Sequence, residues 1–204
     1  LAALYYFRAS ALFVMFFCIL GTVGSEFLYQ KIMKQKSTIG DYSAVVTGLL
    51  LAFNVPASLP WWMCILGGVF AIIVVKMVFG GLGNNFVNPA LAGRAFLLAS
   101  FPVAMTAWTK TGVIWVSSGS LDAVSTATPL SFLKAGAAGL GPLKESGVSL
   151  MDMVLGNIGG CIGETCVILI LLGGVYLIYK GIISYIMPVC YLGTIFILTF
   201  LLGG

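Results

Sequence analysis

Apolar residues fall into blocks along the chain, and the lengths of those blocks predict its architecture. Five of them, at about 9–29, 61–79, 87–107, 164–180 and 182–203, are long enough to cross ~30 Å of hydrocarbon as helix, which takes roughly 20 residues. Two more, 43–53 and 148–155, are too short to span. Each short block runs into a Gly- or Pro-rich break and then into a long block. The first passes from Phe53 through Asn54-Val55-Pro56-Ala57-Ser58-Leu59-Pro60 to Trp61. The second passes from Leu155 through Gly156-Asn157-Ile158-Gly159-Gly160 toward Glu164. Paired half-helices broken in matching positions are the usual sequence sign of an inverted repeat. The expectation is an all-α integral membrane protein, a multi-helix bundle with inverted repeats and broken half-helices.

Composition agrees with the pattern. Hydrophobic residues make up 60% of the 204 and charged residues 8%, with a mean hydropathy of +1.11. A soluble domain carries about a quarter of its residues charged. The net charge of +4 belongs to membrane orientation, since no basic run with interleaved aromatics is present to hold nucleic acid. Residues 1–204 read as one transmembrane domain, the central part of a longer chain, with an extracytoplasmic loop at about 108–147. With that loop outside, Lys31, Lys34, Lys36, Lys76 and Arg94 fall on or near the cytoplasmic side and Arg8 and Lys180 outside. This is the bias that the positive-inside rule prefers.

Little in the chain looks like a catalytic centre. There is no histidine, so metal and haem sites built on imidazole are excluded. Cys18, Cys64, Cys161, Cys166 and Cys190 lie in or beside apolar blocks, where cysteine more often packs than reacts, and none forms a CxxC pair. No nucleophile–base pair stands out.

Three stretches remain. In the polar loop, Asp122-Ala123-Val124-Ser125-Thr126-Ala127-Thr128-Pro129 is by itself an ordinary hydroxyl-rich turn or helix start headed by an acid. Phe79-Gly80-Gly81-Leu82-Gly83-Asn84-Asn85-Phe86-Val87-Asn88-Pro89-Ala90 is a glycine-rich turn with a helix starting near Asn88 and Pro89 as its first residue. It lacks the preceding strand and following lysine of a phosphate-binding loop. Arg94, beyond the first turn of that apolar helix, needs a partner or an interface. Gly159-Gly160-Cys161-Ile162-Gly163-Glu164-Thr165 places a carboxylate at a helix break, where it is a functional candidate, and Asp152 lies in the other half of the same break. Glu26, near the end of its helix, reads as interfacial.

Together these stretches carry a resemblance. Residues 79–96 resemble the FGG-x-G-x-N-x-x-NPA-x-x-GR-x-F signature of the NqrB/RnfD family, which joins the B subunits of Na⁺-pumping NADH:quinone reductases to the D subunits of Rnf complexes. Residues 159–165 resemble its Gly-x-x-GE-T/S segment. The Asp122–Thr128 stretch resembles the motif on which a flavin transferase esterifies FMN to a threonine, with Thr126 standing where glycine or serine is common. Pro129 and the compact outer loop favour the Rnf D branch.

The resemblance implies a urea-transporter-like membrane fold, multi-pass in the cytoplasmic (inner) membrane. It implies covalent FMN as a phosphoester on Thr128, with Asp122, Ser125, Thr126 and Ala127 forming the attachment motif. It also implies a riboflavin in the bundle that no residue here locates. The chain would then be one subunit of an ion-translocating oxidoreductase with no independent reaction, passing electrons between ferredoxin and NAD coupled to Na⁺ or H⁺ movement. Its partners would be Rnf subunits of the A, B, C, E and G types, membrane lipid and the transferase. Asn84, Asn88, Arg94, Asp152 and Glu164 are the candidates for an ion path or its structural motif. A quinone-reductase B subunit, a passive urea- or ammonium-type channel and a structural scaffold are the competing readings.

Overall fold

The computed structural model describes residues 2–108, 150–156, 158–164 and 166–202, and every regular element among them is helical. The elements are α1 (Ala2–Ile32), a 3₁₀ turn (Ile39–Asp41), α2 (Ser43–Phe53), α3 (Trp61–Val69), a π-helix (Phe70–Met77), α4 (Pro89–Ser100), α5 (Pro102–Thr106), α6 (Leu150–Leu155), α7 (Val167–Tyr179) and α8 (Ile186–Leu202). They fall into two compact units. The first includes residues 2–108 and 159–164, and the second includes 150–156, 158 and 166–202.

In the first unit α1 packs along both α2 and α3. Its buried stripe runs through Phe7, Ala11, Val14 and Cys18, at helical spacing, and meets Leu51, Val55, Met63, Cys64 and Leu97 in one core. Gly48 makes the α1–α2 approach possible. A Cβ there would stand 2.8 Å from the Cα of Ile19, closer than carbon atoms can pack. Close approach over small residues is how apolar helices associate where no water drives them together. α1 is long and apolar enough to cross a membrane. It is interrupted at Arg8, whose φ of 49° and ψ of −130° are not helical, so the span proper follows that residue.

Among the described residues only α1 is by itself long and apolar enough to cross a membrane, and the helices of the other four long blocks are shorter than the runs that predicted them. The block at 61–79 is one continuous rod, α followed by π, in which Val78 N–H reaches back to Ile73 O and Gly81 N–H to Lys76 O. The block at 87–107 divides at Phe101, because Pro102 disfavours helical φ/ψ in the residue before it and begins α5 instead. The block at 164–180 becomes helical only at Val167. The block at 182–203 becomes helical at Ile186, after Gly181 has turned the chain at φ 68°. The short block 43–53 is α2, residue for residue.

One end of the first unit gathers Trp61 and Trp62, both exposed, with Trp62 edge-on to Phe101 at 5.3 Å and Ser58 Oγ donating to Ala107 O at 2.9 Å. Exposed tryptophans at the end of an apolar helix mark a membrane interface. In the second unit α6 packs on α7, and no residue of α7 is buried. Apolar helices of this kind, with their backbone hydrogen bonds closed within the helix, suit a bilayer as solvent.

Candidate functional site

Two polar clusters stand inside the apolar frame of the first unit. The first lies where the two breaks meet. After Phe53 the chain leaves α2, and residues 161–163 run antiparallel beside it, pairing Pro56 with Cys161 in an isolated bridge. Ile162 N–H donates to Val55 O at 3.2 Å and Gly163 N–H to Phe53 O at 2.9 Å. These bonds answer the question that unwound backbone poses in an apolar setting, because each break satisfies the other. Gly163 is required at this joint, since a Cβ would sit 2.7 Å from that of Phe53.

Arg94 reaches the joint from α4. Its Nη1 donates to Asn54 Oδ1 at 3.1 Å and to Glu164 Oε1 at 3.2 Å, and its Nη2 lies 3.7 Å from Cys161 Sγ. Asn54 is held for this by its own Nδ2, which donates back to Leu50 O at 2.8 Å. The Cys161 thiol donates to Asn54 O at 3.5 Å. The Arg94 side chain is 32% exposed and that of Glu164 is 51% exposed. The result is a cation and a carboxylate in open contact, held where the two breaks meet.

The sequence singled out Arg94 and Glu164 separately, and the fold brings them together. Asn54 and Cys161 join them, and neither stood out in the sequence as a site residue. Asn88 instead caps α4, accepting from Ala90 N at 3.0 Å and Leu91 N at 3.3 Å, with Pro89 as first helical residue as expected. Asn84 is a turn residue whose Nδ2 donates to Gly80 O at 3.4 Å. Asp152 lies on α6 in the second unit. Asp122, Ser125, Thr126, Ala127 and Thr128 lie outside the described residues.

The second cluster was not anticipated. Glu26 and Lys76, which the sequence gives no reason to pair, have side chains 0% and 2% exposed and form an ion pair at 2.6 Å. Glu26 Oε1 also accepts from Thr38 Oγ1 at 2.7 Å and Gln30 Nε2 at 3.2 Å. Lys76 Nζ donates to Ser43 Oγ at 2.6 Å, and Ser43 Oγ donates to Asp41 Oδ1 at 2.5 Å. Hydrogen bonds from the hydroxyl and then the amide of Ser43 hold the exposed Asp41 carboxyl below its ordinary pKa. The signal that could have revealed this cluster is the polar stripe Thr22, Ser25, Glu26 and Gln30, spaced to share the buried face of α1.

Between the π-helix and α4, Phe70 stacks on Phe96 at 4.3 Å beside a groove of about 460 Å³ lined by Val74, Phe79, Ala92 and Ala95. It presents no polar group to orient a ligand.

The chain is similar to known proteins over most of its length. It is 50% identical over 201 residues to the D subunit of the Na(+)-translocating ferredoxin:NAD(+) oxidoreductase complex of Acetobacterium woodii, covering 98% of this chain and 59% of the relative. It is 44% identical over 202 residues to the D subunit of the proton-translocating ferredoxin:NAD(+) oxidoreductase complex of Clostridium ljungdahlii, covering 97% and 59%. It is 35% identical over 171 residues to the D subunit of an ion-translocating oxidoreductase complex of Rhodobacter capsulatus, covering 76% and 48%. The chain thus spans about three fifths of the length of the first two of these relatives. The model of the NQR2, RnfD, RnfE family matches residues 1–204, and the chain belongs to that family.

Proposed function

We propose that this chain forms the membrane part of an Rnf-type D subunit, which passes electrons between ferredoxin and NAD in a complex that moves Na⁺ or H⁺ across the cytoplasmic membrane. The carrying observation is the 50% identity over 98% of the chain to a D subunit of that description. On this reading the protein is multi-pass in the inner membrane. Its partners are the other Rnf subunits, of the A, B, C, E and G types.

The Asp122–Thr128 motif supports FMN as a phosphoester on Thr128, attached by a flavin transferase, and a riboflavin in the bundle goes with the same reading. The flavin supplies the redox chemistry, and the protein positions and insulates it. The meeting of the two breaks supports an ion path at that joint. Backbone that leaves its helix in an apolar frame is tolerated where it lines a protein-filled or polar cavity. The joint is also what opposed half-helices of an inverted, urea-transporter-like repeat would bring together.

The test is intact-mass spectrometry of the native protein, with peptide mapping and in-gel flavin fluorescence. An FMN phosphoester on Thr128, lost in Thr128→Ala, is the expected result. An unmodified Thr128 in a host that makes the transferase would overturn the flavin assignment and favour a colourless channel or scaffold.

A further inference from the structure

We propose that the turn closing α1 is a binding site for the phosphate headgroups of anionic phospholipids, formed by Lys31, Lys34 and Lys36. The inference needs only that α1 spans the membrane, and so stands apart from the flavin assignment.

The exposed stripe of α1 runs through Leu12, Phe16, Leu20, Gly24 and Phe27 with Leu28 in steps of three and four. This is the face a straight helix presents to acyl chains. The next residue on it is Lys31, whose Nζ lies 5.9 Å from the centroid of the Phe27 ring. The stripe that meets the hydrocarbon therefore ends on an ammonium, and the exposed Ile32 and Met33 continue the apolar rim beside it. A lysine stem can lie along such a surface while its head stays in the polar layer.

The helix then ends in a Schellman turn. Gln35 N–H donates to Gln30 O at 2.9 Å, Lys34 N–H to Lys31 O at 3.4 Å, and the residue in the left-handed region, at φ 52°, is Lys34. Glycine is the ordinary occupant of that position, because an L side chain is strained there. Here a lysine takes its place. Lys36 follows two residues later, so three cations lie within six positions, and none has a carboxylate partner among the described residues.

The turn is also held in advance. Gln30 Oε1 accepts from Thr38 N at 3.1 Å, while its Nε2 donates to Thr38 Oγ1 at 2.7 Å. These bonds tie the basic loop to the buried cluster. The carbonyls of a helix end repel an anion, so a single lysine would be largely spent in offsetting them. Three leave a clear positive excess. A compact ammonium suits a phosphate as a point charge. The continuous apolar rim favours a lipid over an acidic protein surface, which would not need acyl-facing neighbours.

The test uses the full-length subunit in its complex, with lipid retention read by native mass spectrometry from nanodiscs of phosphatidylglycerol and of phosphatidylcholine. The triple variant Lys31→Gln/Lys34→Gln/Lys36→Gln should lose its preference for phosphatidylglycerol by on the order of a hundredfold at low salt, each lysine near an anionic surface contributing about fivefold. Lys34→Gly separates binding from folding. It relieves the left-handed strain, so the thermal midpoint should hold or rise while the preference falls about fivefold. An unchanged lipid preference in Lys34→Gly and in the triple variant overturns the proposal. So does an unchanged preference accompanied by loss of a neighbouring subunit, which would assign the patch to an acidic protein partner.

Discussion

The Nζ of Lys76 lies 2.6 Å from Oε2 of Glu26, fifty residues earlier in the chain, and both side chains are buried. The π-helix carries the lysine and the last turns of α1 carry the glutamate. Three further side chains, Thr38, Gln30 and Ser43, complete the pair's hydrogen bonds. Two charges taken from water this completely are costly, and their attraction offsets that cost only with such company.

Removing one partner should therefore destabilise strongly. Lys76→Met alone is expected to cost about 3–5 kcal/mol by leaving Glu26 as an unpaired buried charge. The double variant Glu26→Leu/Lys76→Met should recover most of it, as buried pairs replaced by packed apolar residues often do. Thermal unfolding in detergent measures both. A double variant no better than the single would show that the charges themselves hold the fold.

Gly163→Ala should open the joint between the breaks. Its Cβ would meet backbone-borne atoms of Phe53, which cannot swing aside. Overpacking of this kind costs about 1–3 kcal/mol. The same variant should speed hydrogen exchange at the Ile162 and Gly163 amides, and exchange rates left at the wild-type value would contradict the role given to this glycine.

Glu164→Gln should separate stability from coupling. The pair it forms with Arg94 is open to solvent, so the stability change should stay below about 1 kcal/mol. Ion movement per electron in the assembled complex should fall by about fivefold or more if the joint lies on the path. Wild-type pumping together with wild-type electron transfer would remove Glu164 from the mechanism.

Asn88→Ala removes the side chain that caps α4 at two amides. A loss of about 1 kcal/mol is expected, with Pro89 still presetting the first helical residue. Since α4 carries Arg94, the variant should also lengthen the Arg94–Glu164 contact, which a double-mutant cycle with Glu164→Gln would register.

Local features were the most legible from the sequence. The half-helix 43–53, the cap at Asn88 and the two breaks follow from residue order, because turn chemistry and apolar runs are properties of neighbouring residues. Pro102 carried its own signal of a divided block, although the unbroken apolar run around it reads as a single span. The meeting of the breaks through Cys161–Gly163 and the pairing of Glu26 with Lys76 are tertiary events. Nothing within ten residues of Glu26 specifies a lysine fifty positions away. The polar stripe on α1 announced only that some partner had to exist.

The hydrogen bond from Ile162 N–H to Val55 O has a consequence for how the protein is made. The two residues are 107 positions apart in the chain. At a synthesis rate of roughly 5–20 residues per second, the second strand of the joint leaves the ribosome about 5–20 s after the first. During that interval Asn54 and Arg94 are made without Cys161 and Glu164. The unwound carbonyls of Phe53 and Val55 then have no amide from residues 162 and 163. An early intermediate must therefore keep this surface against water or an insertion factor, and the joint closes only when the later segment arrives.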